Sequence, residues 1–212
     1  MPNQLNFKLL PKENSKRYYL IPHSGINAAW ERNLFFLNSF FDNPRNFFVV
    51  YFVGELGAGK SYLIDCCLER AEELGCELSK IKKIEFNQIS PSEQEISAFV
   101  SQYEQLKSSG GIIYIESQLE PQNLTNNPHL LSRIRLAEVC RLKFPQEAEL
   151  PTLINSMLER NNLKLKNKDI DYILKRSASD PLSLSLISAR IDELLLSSES
   201  ITKRLVLKKI FE

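Results

Sequence analysis

Gly54-Glu55-Leu56-Gly57-Ala58-Gly59-Lys60-Ser61 spells G-x-x-x-x-G-K-S, and that spacing dictates a chemistry. A glycine-rich turn lets consecutive backbone N–H groups converge on phosphate oxygens. A lysine at this offset reaches the β and γ oxygens, and the hydroxyl after it can ligate Mg²⁺. Residues 54–61, with Tyr62 following, are therefore the candidate nucleotide-binding segment. Lys60 is its cation, and Ser61 is its metal-facing hydroxyl through the bound nucleotide.

The flanking residues supply the elements such a loop needs. Phe47-Phe48-Val49-Val50-Tyr51-Phe52-Val53 is apolar at every position, the pattern of a strand buried on both faces of a parallel sheet. Tyr62 to Leu74 follow with helical spacing, which sets a helix N-terminus against the phosphates, and Gly75 closes that helix. Upstream, Ala28, Trp30, Leu34, Leu37 and Phe41 form an apolar stripe predicting a helix over Asn27–Phe41, broken by Asp42-Asn43-Pro44-Arg45-Asn46.

Downstream, Ile81, Ile84, Phe86 and Ile89 suggest a strand. Ser90-Pro91-Ser92-Glu93 suggests a capping box opening a helix that runs to about Lys107. A turn at 108–111 leads to the strand Ile112–Ile115, ending in Glu116 and Ser117. A loop over Pro121–Asn127, a short helix over His129–Ile134 and a strand over Val139–Phe144 complete the alternation, which argues for a parallel sheet flanked by helices. After Pro145 the pattern turns wholly helical, at 147–160, 167–176, 182–197 and 201–211. The expected organisation is a polar tail at 1–15, with a short strand suggested at Tyr18–Ile21 beyond it, an α/β nucleotide-binding domain at 16–145 and a small all-α domain at 146–212.

Composition narrows the surroundings. With 43% hydrophobic residues the chain can bury a sizeable core, and its net charge of +1 gives no global field toward DNA or a membrane surface. No apolar run is long enough to span a bilayer, and the first residues lack signal-peptide character; a cytoplasmic location is expected. Cys66, Cys67, Cys76 and Cys140 lack metal-ligand spacing and read as buried thiols in a reducing compartment. His23 and His129 have no sequence-local partner and read as turn or surface residues.

The order of phosphate loop, sheet strands, Leu130-Leu131-Ser132-Arg133 and helical close resembles an AAA+ ATPase, in particular the DnaA lineage and its short Hda type. Four regions carry the resemblance. The tail Gln4-Leu5-Asn6-Phe7-Lys8-Leu9 is similar to the peptide with which Hda-type proteins dock on the replication sliding clamp, implying clamp contacts by Gln4, Leu5, Phe7 and Leu9; an extended segment offers alternate side chains to an apolar pocket. The phosphate loop is intact, implying ADP or ATP as ligand. Ile112–Ser117 followed by Pro128–Ile134 resembles the family's sensor strand and finger segment. That implies Ser117 as sensor and Arg133 as an arginine finger inserted into a neighbour's site, a task suited to a permanently charged guanidinium. Finally, Asp169–Leu174, Asp180–Leu184 and Ile201–Val206 resemble the lid helices.

Two departures shape the expected activity. The acid beside Mg²⁺ is expected to be Glu85, with Phe86 where a second acid is usual, because the spacing from Ser117 to Arg133 then fits; the alternative is Glu116 if the sensor strand is lost. The lid's sensor arginine falls on Leu182. Self-hydrolysis is then slow or absent, leaving the nucleotide as a structural ligand. The resemblance implies a regulator of replication initiation that stimulates ATP hydrolysis by DnaA in trans. A recruitment factor that leaves nucleotide turnover alone, or a self-contained P-loop ATPase using Glu85 or Glu116, are the other readings. DnaA and the sliding clamp are the implied partners, with self-association open. Lys203, Arg204, Lys208 and Lys209 read as a solvated helix face rather than a DNA site.

Overall fold

The computed structural model describes residues 23–86, 91–159 and 166–176. The tail, the strand suggested at Tyr18–Ile21, Leu182 and the two last helices lie outside the described residues. In chain order the elements are α1 (Asn27–Asp42), β1 (Phe47–Val53), α2 (Lys60–Glu73), β2 (Ile81–Phe86), α3 (Glu93–Ser109), β3 (Gly111–Ser117), α4 (Pro121–Leu124), α5 (Pro128–Ile134), β4 (Glu138–Arg141), α6 (Leu150–Glu159) and α7 (Asn167–Arg176). The strands form one parallel sheet in the order β2-β3-β1-β4, as strand–helix alternation requires. No described helix is long and apolar enough to cross a membrane.

β1 is central, and its apolar residues fill both layers. Val50 and Phe52 join α1 and α2 through Leu37, Phe40, Leu63, Ile64 and Cys67. Tyr51 and Val53 face the other way, toward Phe99, Tyr103, Leu124, Leu130 and Ile134 of α3, α4 and α5. Each fully buried aromatic or branched side chain contributes about 1.5–3 kcal/mol. The four cysteines are free thiols, three of them buried. Burial raises the Cys140 thiol pKa to about 11, so it stays protonated and unreactive.

Three expectations shift. The buried face of α1 is Ala29, Phe36, Leu37 and Phe40 with Asn33, while Ala28 and Phe41 are exposed. The run Asn33-Leu34-Phe35-Phe36-Leu37 offers two helical registers, and packing on β1 selects between them. The capping box of α3 is Ser92 with Glu95, so Pro91 precedes the cap instead of opening the helix. Pro121–Leu124, expected as loop, is a helical turn with proline at its start.

The turn feeding β3 depends on a left-handed glycine. Gly110 has φ 82°, and a Cβ there would run into Pro44 O and lie 2.7 Å from Arg45 Cα. Gly110→Ala is expected to destabilise by at least about 2 kcal/mol, measured by urea unfolding.

The N-terminal turn is tied by titratable groups. Ser24 N–H and Oγ–H donate to the Glu149 carboxylate at 2.7 and 2.9 Å, and the Gly25 N–H donates to His23 Nδ1 at 3.1 Å. Burial pulls the His23 pKa below its ordinary value, with Glu149 pulling the other way. The unfolded chain therefore binds the proton more readily, and this stability is full above pH ~6.5 and lost as pH falls through the folded pKa. Hydrogen bonds from Gln146 N–H and Ser24 N–H lower the Glu149 pKa, a contribution lost only at more acidic pH. The urea midpoint is expected to fall between about pH 7 and 5. The fall should be smaller in His23→Gln, whose amide oxygen accepts the same N–H without titrating.

Candidate nucleotide site

The phosphate loop hangs between the end of β1 and the start of α2. Gly57 and Gly59 have φ of 84° and 87°, the left-handed region where glycine alone is unstrained. Gly59 is also the N-cap of α2, and no side chain caps that helix, so the helix N-terminus is turned to the loop without a side-chain cap, the arrangement that suits an anion. Gly54 is required for a different reason: a Cβ there would lie 2.7 Å from Leu142 O, in the segment following β4.

Lys60 Nζ–H donates to Gly54 O and Glu55 O, each at 2.8 Å. The ammonium is thus held over the loop with one proton left to give. Burial lowers the Lys60 pKa against the opposing pull of Glu116 and Glu85. Its partial desolvation strengthens any bond to phosphate.

Both candidate acids face α2. Glu85 on β2 is in register with Glu116 on β3, but only Glu116 meets the loop. Ser61 Oγ–H donates to Glu116 Oε1 at 3.1 Å, and Glu116 is 3% exposed whereas Glu85 is open to solvent. Two residues not singled out in the sequence join them: Lys83 Nζ lies 3.6 Å from Asp65 Oδ1 and 3.8 Å from Glu116 Oε2. A faint signal existed, since Asp65 falls one helical turn after Ser61 and Lys83 alternates with Glu85 along β2. Mg²⁺ needs carboxylate and hydroxyl oxygens free to complete an octahedron. Here the acid facing Ser61 already pairs with an ammonium, so these residues do not fit a divalent cation as they stand. Among the described residues no cluster of His, Cys, Asp or Glu is grouped to hold a metal.

Ser117 points to the opposite layer, beside Phe86 and Val53. Its hydroxyl donates to Phe86 O at 3.0 Å and accepts the Leu119 N–H at 3.1 Å, so its bonds are committed within the fold.

Arg133 lies elsewhere. Asn127 caps α5, accepting the His129 and Leu130 N–H groups at 2.9 and 3.3 Å, and Pro128 starts the helix. Arg133 donates to Glu104 Oε1 from Nε and Nη2 at 3.1 and 2.6 Å and to His129 O from Nη1 at 2.8 Å. Its guanidinium sits 5.4 Å from the Tyr103 ring centre, and Tyr103 packs edge-on against Phe47 at 5.0 Å. Phe47 begins β1 and the phosphate loop follows its other end, a strand length of about 20 Å away. The structure thus unites residues 54–61 with Glu116 and does not bring Arg133 to them. Gln4, Leu5, Phe7 and Leu9 lie outside the described residues.

Compared with solved structures, the described fold is similar to those of DnaA and RuvB. Domain III of the replication initiation protein DnaA from Thermotoga maritima superposes with TM-score 0.64 at 14% identity, covering 93% of this chain and 97% of that one. AMPPCP-bound DnaA from Aquifex aeolicus gives TM-score 0.62 at 17% identity over 82% of this chain, and the Thermotoga maritima RuvB A156S mutant gives 0.55 at 16% over 87%. The chain spans 63% of that DnaA and 68% of that RuvB. These likenesses show a fold shared with DnaA and RuvB. No protein-family profile and no curated protein matches the sequence.

Proposed function

We propose that this chain is a nucleotide-binding AAA+ regulator of replication initiation that acts in trans on DnaA. The observation carrying the proposal is the phosphate loop itself: two left-handed glycines, an uncapped α2 N-terminus and Lys60 poised above them, within a DnaA-type fold. The neighbour from Aquifex aeolicus holds AMPPCP, and the equivalent ligand here is ADP or ATP.

The same layout argues against a self-contained ATPase. The buried Glu116 at the loop accepts the Ser61 hydroxyl and is paired with Lys83, which weakens it as a base for water. Arg133, a strand length from the loop of its own chain, can complete only a neighbour's site. In this reading residues 4–9 tether the chain to the sliding clamp, and Arg133 exchanges Glu104 for the γ-phosphate of ATP held by DnaA. One observation favours a second reading: bonds to Glu104, His129 O and Tyr103 are what a latch between α3 and α5 would show. The chain would then recruit partners without touching turnover. Phosphate release from ATP-loaded DnaA, with and without Arg133, separates the two.

A further inference from the structure

We infer that Lys83 takes the place of a divalent cation at the nucleotide site, so that the chain holds ADP or ATP without Mg²⁺. The inference rests on the phosphate-loop reading and adds the identity of the counter-ion.

Glu116 carries the argument. Its Oε1 is taken by the Ser61 hydroxyl, while its Oε2 is buried and accepts no hydrogen bond. A carboxylate oxygen withdrawn from water needs a positive charge nearby. Lys83 Nζ, 3.8 Å away, supplies it and reaches Asp65 Oδ1 at 3.6 Å as well. Both carboxylates beside Ser61 therefore share one resident ammonium.

The placement follows from the sheet. Parallel register aligns Glu85 with Glu116, so Lys83, two residues earlier on β2, lies on the same face and points toward α2. A Mg²⁺ ion ligated by Ser61 and turned toward Glu116 would sit beside this ammonium, where like charges repel strongly in partly desolvated surroundings. Mg²⁺ also demands near-ideal octahedral geometry and gives up water reluctantly. An ammonium is a compact point charge with three donors and makes no such demand. Lys60 above the loop and Lys83 below Ser61 would bracket the phosphates with two fixed cations.

The test is equilibrium binding of fluorescent mant-ADP to the full chain, in excess MgCl₂ and in excess EDTA. Wild type is expected to bind with affinities within about twofold of each other in the two conditions. Lys83→Met is expected to weaken about tenfold or more in EDTA and to recover with MgCl₂, because the vacated acid becomes free to face the metal. Lys83→Arg, which keeps the charge, should retain most EDTA binding if it folds. Wild-type binding that weakens about tenfold in EDTA, or Lys83→Met behaving as wild type, would overturn the inference. Failure of folded wild type to bind in either condition would instead overturn the phosphate-loop reading beneath it. If Lys83→Met does not fold, Lys83→Arg and the wild-type comparison still test it, since wild-type binding that needs MgCl₂ overturns the inference by itself.

Discussion

Arg133→Ala is expected to abolish the stimulation of DnaA's ATPase, a loss of about 10³-fold or more, the range for an arginine supplied in trans. The physical reason is the transition state. Charge develops on the γ-phosphoryl oxygens, and a guanidinium meets it with a rigid set of donors in a site that excludes water. Arg133→Lys should also fail, because a flexible point charge lacks the fork. The fold should survive both changes. Arg133 is partly exposed, and its pair with Glu104 on a half-exposed carboxylate stabilises by no more than about 1 kcal/mol; stacking on Tyr103 adds about as much. Circular dichroism and mant-ADP binding of the variant should therefore match wild type. Unchanged stimulation would assign Arg133 to the α3–α5 latch.

Lys60→Ala is expected to weaken nucleotide binding on the order of 100-fold, measured by mant-ADP titration. A charge-assisted hydrogen bond contributes about 1.5–3 kcal/mol, and partial burial of this ammonium places it at the upper end. Its two bonds to Gly54 O and Glu55 O also hold the loop curved, so the variant loses both the charge and the preorganised shape. Lys60→Arg should not restore binding, since the planar guanidinium cannot sit above the two carbonyls as the ammonium does.

The residues that shape the loop were legible in the sequence because their signals are local. A seven-residue apolar run, three glycines at fixed offsets and the helical spacing after Lys60 each specify backbone within a few residues. β1 was expected at Phe47–Val53 and lies there. The short helix expected at His129–Ile134 lies at Pro128–Ile134, with the proline in its first turn. What surrounds Glu116 was not. Its pairing with Ser61 spans 55 residues, and the approach of Lys83 depends on β2 lying beside β3, an order no local pattern encodes. The sequence offered Glu85 and Glu116 as alternatives because both end apolar strands; only the sheet shows which one meets the loop. The clasp on Arg133 was hidden in the same way, since Tyr103 and Glu104 read as ordinary positions of α3 until α5 is laid across them. The buried stripe of α1 was ambiguous for a different reason, an excess of apolar residues that satisfies two helical registers equally.

Phosphate release from ATP-loaded DnaA, in the presence of DNA-loaded sliding clamp, tests the proposed trans action most directly. It should be run with wild type, with Arg133→Ala and with a deletion of residues 1–9. Stimulation by wild type, lost in both variants while each still binds mant-ADP, is the predicted result. Absence of stimulation by the wild-type chain, or equal stimulation by Arg133→Ala, would contradict it.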